Sequence, residues 1–304
     1  MKQVRVYYGG IPHRNTNREK TLVLQHFHQG VGKNGQSKEI TVRVWEPADL
    51  AVIQGWVHKD SGRTPHLMFR KEIIESQTRI GKQTLTVDSN LFLYLDTKNT
   101  KNYLRFSLND IFPSTGNYFT KSVLPERWQQ IKHDYNIDLK PWRSNGNHIL
   151  ICLQRNGGWS MKGLSVTQWF YDTVKRIRKF SDRPIVVRAH PGDRKFKLAM
   201  LSKKFNYTIS NKANITDDLK NAWACITFNS SPGVASAIEG IPIFVTDPNS
   251  KDSQAYKVSN VDLTNIENPI MPDRQKWIEE VSMSHFNFND LQKGIAWDII
   301  RGYI

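Results

Sequence analysis

Residues 227–246 read TFNSSPGVASAIEGIPIFVT, and the order of apolar, hydroxyl and small residues in this stretch decides the fold class. The apolar run Ala224–Phe228 ends in Asn229-Ser230-Ser231; a helix of mostly small residues is expected over Ser231–Glu239, and Pro242–Thr246 is apolar again. Two short apolar runs joined by a helix predict parallel strands covered on both faces. Gly240 stands where a helix ends in a left-handed turn. At the other end, the first-turn N–H groups of such a helix lack intrahelical partners and carry the positive end of its dipole. With the Ser230 and Ser231 hydroxyls beside them they suit a phosphate, and Gly233 lets a ligand approach the backbone. A Ser-capped connection with no ligand reads the same way locally, so the neighbouring strand ends carry weight.

The alternation continues outward. His148–Gln154, Pro184–Arg188 and Tyr207–Ser210 read as strands. Ser165–Phe180, Arg194–Phe205 and Thr216–Ala222 read as helices, the last capped by Thr216 with Asp217 and Asp218 in its first turn. Helices at about 273–284 and 289–302 close the chain. Residues 140–147, KPWRSNGN, combine Pro, Gly, Asn and charge without periodicity, which is a linker signal. The first half predicts strands at Val4–Tyr8, Ile40–Trp45, Leu50–Val57 and Thr84–Val87, with helices at His66–Arg79 and Pro125–Tyr135. The expected class is α/β, two Rossmann-like domains facing a cleft: 1–139, the linker 140–147, and 148–285, followed by a terminal segment 286–304. Ligands belong at the carboxyl edges of such sheets.

Two more strand ends carry polar groups. In VVRAHPGDR, residues 186–194, Arg188 and His190 end a strand on the edge that holds Ser230, Pro191 stops it, and Arg194 follows the Gly192 turn. A His with Arg neighbours can donate to phosphate oxygens without a metal. In LQRNGGWSMK, residues 153–162, the Gly157-Gly158 pair permits positive φ, so Gln154, Arg155 and Asn156 can face the crevice with Trp159 behind them. This is neither a GxGxxG fingerprint nor a Walker loop.

HPGDR after a strand, followed by FNSSPGVASAIEGIPIFV, resembles the C-terminal half of GT-B glycosyltransferases, most of all capsule-polysaccharide-type transferases and phage-encoded DNA-modifying relatives. SHFNFNDLQKGIAW, residues 284–297, resembles the phage relatives too, whose final helices run back toward the N-terminal domain. The likeness covers residues 148–304; earlier it rests on YYGG, VIQGW and PWR. It implies a GT-B-like fold, an N-terminal acceptor domain, and a sugar-nucleotide site at which His190, Ser230, Ser231 and Glu239 bind the diphosphate and the sugar or ribose. His190 would also act at the leaving group. The implied donor is a UDP-sugar, a co-substrate rather than a cofactor. No D-x-D, the usual metal-diphosphate motif, occurs in the chain, which favours metal-independent transfer.

An inverting transferase needs a base for the acceptor hydroxyl, and a retaining one does not. Asp88, ending a strand in TVDSN, is the favoured candidate, though the same carboxylate could simply cap a turn; His58 and Asp60 in GWVHKD are the others. The chain has 304 residues with 43 Lys plus Arg against 28 Asp plus Glu, a formal charge of +15. Residues 1–146 carry +9 and the rest +6, so there is no detachable basic tail. With 38% hydrophobic residues the chain can bury a core, which excludes a disordered polyelectrolyte. The charge calls for an anionic partner. His13, Arg14, Arg18, His58, Arg105, Lys121 and Arg143, several with aromatic neighbours, are the expected contacts to double-stranded DNA, with 5-hydroxymethylcytosine as the favoured acceptor. A capsule or lipopolysaccharide transferase docked on an anionic membrane, and a non-catalytic nucleic-acid-binding protein on a transferase scaffold, are the alternatives.

Cys152 and Cys225 lie in apolar runs and make no disulfide framework. The N-terminus lacks a signal-peptide core, and no apolar run approaches the roughly 20 residues that span a bilayer. A cytoplasmic monomer is expected.

Overall fold

Leu50–Gln54 (LAVIQ) and Ala222–Thr227 (AWACIT) are buried at every position, the mark of strands covered on both faces. Each lies inside a separate sheet in a computed structural model of the chain, which describes residues 1–12, 18–32, 34–58, 61–155, 159–193 and 205–304, without the side chains of Arg18 and Trp159. The chain divides into two units, Met1–Tyr135 with Glu279–Ile304, and Asn136–Ile278.

The first unit begins with β1 (Gln3–Tyr7), α1 (Arg18–Val31), β2 (Gln36–Ile40), β3 (Leu50–Gln54) and α2 (Pro65–Arg79). It continues with β4 (Gln83–Ser89), β5 (Leu104–Leu108) and α3 (Pro125–Tyr135). The second holds β6 (His148–Cys152), α4 (Val166–Ile177), β7 (Ile185–Arg188), β8 (Thr208–Ile209) and α5 (Ile215–Leu219). After these come β9 (Ala222–Thr227), α6 (Pro232–Ile238), β10 (Ile243–Val245) and α7 (Gln275–Ser282), within which the division falls. The chain then rejoins the first unit through β11 (His285–Phe286), α8 (Phe288–Lys293) and α9 (Ile295–Ile300).

The first sheet runs β11-β5-β4-β3-β1-β2, parallel from β4 to β2, with β5 and β11 antiparallel. The second, β10-β9-β6-β7-β8, is parallel throughout. In each, the first strand has later strands on both sides, so the connections part between β1 and β3 and between β6 and β9. Crevices open at such points, outside the carboxyl ends of the strands.

Several expectations are corrected. Residues 41–45 add no strand: β2 is an edge strand that ends at Ile40, after which Arg43 Nε donates to the Gly9 carbonyl at 3.2 Å. Helix α1 adds to the expected elements; Val23, Leu24, Phe27 and Val31 repeat at helical spacing and are buried. Thr216 is not a cap; Asn214 precedes α5. The single closing helix is two, broken at Gly294, whose φ of 82° suits glycine. The 194–205 helix falls almost wholly outside the described residues.

Residues 140–147 are hydrogen-bonded into the second unit. Lys140, Arg143 and Asn147 N–H groups donate to the carbonyls of Ile238, Gly240 and Asn221 at 2.9, 2.8 and 3.0 Å. Arg274 donates to the Lys140 carbonyl at 2.6 Å and stacks 3.9 Å from the Trp142 ring centroid. At the other end, Leu291, Ala296, Trp297 and Ile300 share one core with Val23, Leu24 and Phe27 of α1. Among the described residues, no helix is long and apolar enough to cross a membrane.

Candidate functional site

The second unit's switch point is floored by a closed set of polar side chains. Gln154, just past β6, is buried, donates to Ser160 Oγ at 2.9 Å, and accepts the Asn229 N–H from the end of β9 at 3.2 Å. Asn229 Nδ2 donates to Asp247 at 2.7 Å. Asp247 follows β10, and both its oxygens accept from Lys162 Nζ at 2.8 Å. Lys162 also donates to Asp252 at 2.5 Å. Burial opposes the Lys162 charge, but hydrogen bonds to Asp247 and Asp252 outweigh it and hold its pKa above the usual lysine range. Lys162 has φ 53°, a left-handed conformation that non-glycine residues adopt at a cost. From the sequence alone neither Lys162 nor Ser160, Asp247 and Asp252 stand out as site residues. The signal was present: an Asp-Pro-Asn turn directly after an apolar strand, on the edge already singled out.

Ser230 and Ser231 stand at this edge, but the backbone differs from the expectation. Pro232, the first residue of α6, has no N–H; Gly233 N–H bonds the Ser230 carbonyl at 3.1 Å, and Ser230 N–H bonds Thr227 Oγ1 at 2.9 Å. The free donors expected in the first turn are thus largely engaged; Ser230 Oγ lies 3.2 Å from Thr227 Oγ1, while Ser231 is exposed and makes no cap bond. Gly233 serves packing, since a Cβ there would stand 3.2 Å from Ala255 Cβ. Glu239 ends α6 at the far end, about 10 Å of helix away, buried and ion-paired with Lys140.

At the end of β7, Arg188 is engaged by Asp218 at 2.6 Å and by the carbonyls of Lys212 and Ala213, both at 3.0 Å. It locks the β7–α5 corner. Half-buried His190 accepts the Gly192 N–H on Nδ1 at 3.0 Å, which leaves the neutral ring's proton on Nε2. Burial, and then the Arg155 charge, lower its pKa; Asp193 works against them. Arg155 and Pro191 are exposed. Asn156, Gly158, Arg194 and the Trp159 side chain lie outside the described residues.

In the first unit, Asp88, next to last in β4, pairs with Arg105 of β5 at 2.9 Å, while its other oxygen accepts the Ser89 N–H at 2.8 Å. His58, past β3, donates its N–H to Ser61 Oγ at 3.0 Å. Lys121 donates its N–H to Tyr303 Oη at 3.1 Å, with its ammonium 5.6 Å from that ring's centroid. Arg143 belongs to the second unit and bonds the Lys220 carbonyl. His13, Arg14, Asp60 and the Arg18 side chain lie outside the described residues. The described members of this basic set thus have separate local partners: Ser61, Asp88, Tyr303 and the Lys220 carbonyl. Among the described residues, no group of three or more His, Cys, Asp or Glu is placed to hold a metal ion.

The architecture matches solved structures. The β-Kdo 2,4-transferase of Thermosulfurimonas dismutans KpsC aligns over 98% of this chain and 98% of its own, with TM-score 0.60 at 13% identity. The β-Kdo 2,7-transferase of the same protein aligns over 100% of both chains, with TM-score 0.53 at 12% identity. The fold is GT-B-like. No protein-family model matches the sequence, and no curated protein does either. At these identities the likeness establishes the fold, and in this GT-B-like chain the second unit is the one whose strand ends gather the polar cluster.

Proposed function

We propose that the chain is a glycosyltransferase that takes its sugar from a nucleotide-sugar, with the donor on the carboxyl edge of the second unit's sheet. The chief support is the switch point itself. Gln154, Asn229, Asp247 and Lys162 form a pre-organised floor there, in a fold shared with two sugar transferases. The Asn229, Ser230 and Ser231 side chains offer hydrogen bonds to sugar or ribose hydroxyls. As the glycosidic bond breaks, negative charge gathers on the departing phosphate; the His190 Nε2–H and the exposed Arg155 guanidinium stabilise it. Arg188 and Asp218 hold the strand end that carries His190. In an inverting transfer Asp88 takes the proton of the acceptor hydroxyl, its carboxylate oriented by Arg105. A UDP-sugar is the donor to test first.

The acceptor we favour is a saccharide, in line with the names of the two similar transferases. Hydroxymethylated DNA is the second reading, favoured by the +15 charge. The test incubates the protein with a panel of UDP-sugars and other nucleotide-sugars, each with acidic oligosaccharides, plain DNA or hydroxymethylated DNA, and follows nucleotide release and product mass. Sugar-dependent nucleotide release that collapses in His190→Ala is expected. A mass gain confined to hydroxymethylated nucleosides would move the acceptor to DNA. No release from any donor with any acceptor would overturn the transferase reading.

A further inference from the structure

The first unit has its own switch point, between β1 and β3, and the guanidinium of Arg70 from α2 lies across it. Arg70 Nε donates to the Gly10 carbonyl past β1 at 2.7 Å, and Nη1 to the Gly55 carbonyl past β3 at 3.4 Å. Glycine is needed at Gly55, and Gly10 leaves little room for more. A Cβ on Gly55, which has φ 80°, would stand 2.8 Å from Nη1, and one on Gly10 would stand 3.1 Å from Arg70 Cγ.

This cation is only 6% exposed, yet both its partners are neutral carbonyls. Among the described residues no carboxylate lies within ion-pair distance of it; Asp88 acts on it only from farther away, and burial pushes its pKa down to about 10. A buried charge without a counter-ion is costly and is normally paired. Arg127, Arg188 and Arg105, also at strand or helix ends, each hold an Asp, whereas buried Arg274 is held by the Ala237 and Lys140 carbonyls and covered by the Trp142 ring. A guanidinium has five N–H groups in a planar fork. Two are used here, and among the described residues Nη2 has no hydrogen-bond partner, at the place where α/β sheets receive ligands.

We propose that Arg70 binds a carboxylate or phosphate group on a small acidic saccharide, which enters at the β1–β3 switch point of the first unit. The recognition is an N–H···O⁻ contact, with the anion pairing a charge that has no carboxylate at ion-pair distance among the described residues. Identifying this saccharide as the acceptor rests on the transferase reading; the binding itself does not. A duplex phosphate is a poorer fit, because a backbone on a wide rod does not reach a side chain sealed to this degree, whereas a single acidic substituent does.

The test uses the full chain without any donor. Binding of glucuronate, glucose 6-phosphate, inorganic phosphate, neutral glucose and a short DNA duplex is measured by calorimetry on the wild type, Arg70→Gln and Arg70→Lys. Each variant is first checked for a native circular dichroism spectrum and a cooperative melt. The wild type should prefer the acidic sugars over glucose by about tenfold or more, as a hydrogen bond to a charged group predicts. Arg70→Gln should lose that preference, and Arg70→Lys should keep part of it. Glucuronate against glucose 6-phosphate tells carboxylate from phosphate, and phosphate alone tells whether the sugar ring contributes. The proposal is overturned if folded Arg70→Gln keeps the preference, if the wild type shows none, or if duplex DNA is the only anion whose binding depends on Arg70. Failure here leaves nucleotide release in the donor assay untouched, so the two readings fail separately.

Discussion

The side-chain carbonyl of Gln154 accepts the main-chain N–H of Asn229 at 3.2 Å and ties the ends of adjacent strands β6 and β9 together where the second unit's connections part. The tie orients Asn229, whose amide in turn depends on Asp247.

Replacing Asp247 by Ala removes a carboxylate with no side-chain exposure that serves both Lys162 and Asn229. Lys162 keeps Asp252, so the loss should sit near the lower end of the roughly 3–5 kcal/mol typical of breaking a buried pair. Urea unfolding reads that loss. Donor binding should weaken as well, because Asn229 is no longer held; unchanged affinity would remove Asn229 from the site.

His190 is held neutral, with its proton on Nε2. Burial first, then Arg155, place its pKa below the ordinary histidine value of about 6.5. Turnover that uses the neutral donor should therefore be level from pH 8 to 6.5 and fall only at lower pH. His190→Gln, which keeps an N–H donor and cannot titrate, should retain more activity than His190→Ala and lose that acid limb. An acid limb of the same midpoint in His190→Gln would assign it to another group.

His285 is fully buried, accepts the Leu91 N–H on Nε2 at 3.2 Å and bonds the Val281 carbonyl through Nδ1 at 2.8 Å. Desolvation drives its pKa down to about 3, opposed by the Val281 bond and helped by Arg105 and Arg127. The unfolded chain takes up this proton near pH 6.5 and the folded chain does not, so its contribution is complete above pH 6.5 and is lost as pH falls below it. By pH 4 the loss should reach about 3 kcal/mol. Urea midpoints against pH should show a shallower acid slope in His285→Gln; an equal slope would dismiss the assignment.

Arg127 and Asp290 form a buried pair at 2.9 Å, and Asp290 also completes the capping box of α8 with Asn287. Arg127→Met should destabilise the protein by about 3–5 kcal/mol, because it strands the Asp290 charge. Adding Asp290→Asn should recover part of that loss. A double-mutant cycle on denaturation free energies with zero coupling would sink the account.

The legibility of the molecule was uneven in an instructive way. HILIC, IVVR and AWACIT were readable as strands because burial on both faces leaves an unbroken apolar run. QSKEI of β2 was not, because an edge strand keeps its polar residues. LRFSL of β5 does alternate apolar Leu104, Phe106 and Leu108 with polar Arg105 and Ser107, a strand signal only five residues long, whereas the two-residue edge strand β11 leaves no pattern at all.

The sequence by itself determined the α/β alternation and the edge on which polar side chains gather, since both are local: a strand's apolar run and the polar residues that end it are neighbours in the chain. Only the tertiary structure decided which of those polar residues are available. Arg188, an evident phosphate ligand by its motif, is engaged by an Asp 30 positions away, and Gly233 is filled against Ala255. Lys162 meets Asp247 and Asp252 from 85 and 90 positions away, and Arg70 crosses from its helix to two strand ends and finds no counter-ion among the described residues. Partnership between side chains is set by strand order and packing, which bring distant positions together, and spacing along the chain does not record it.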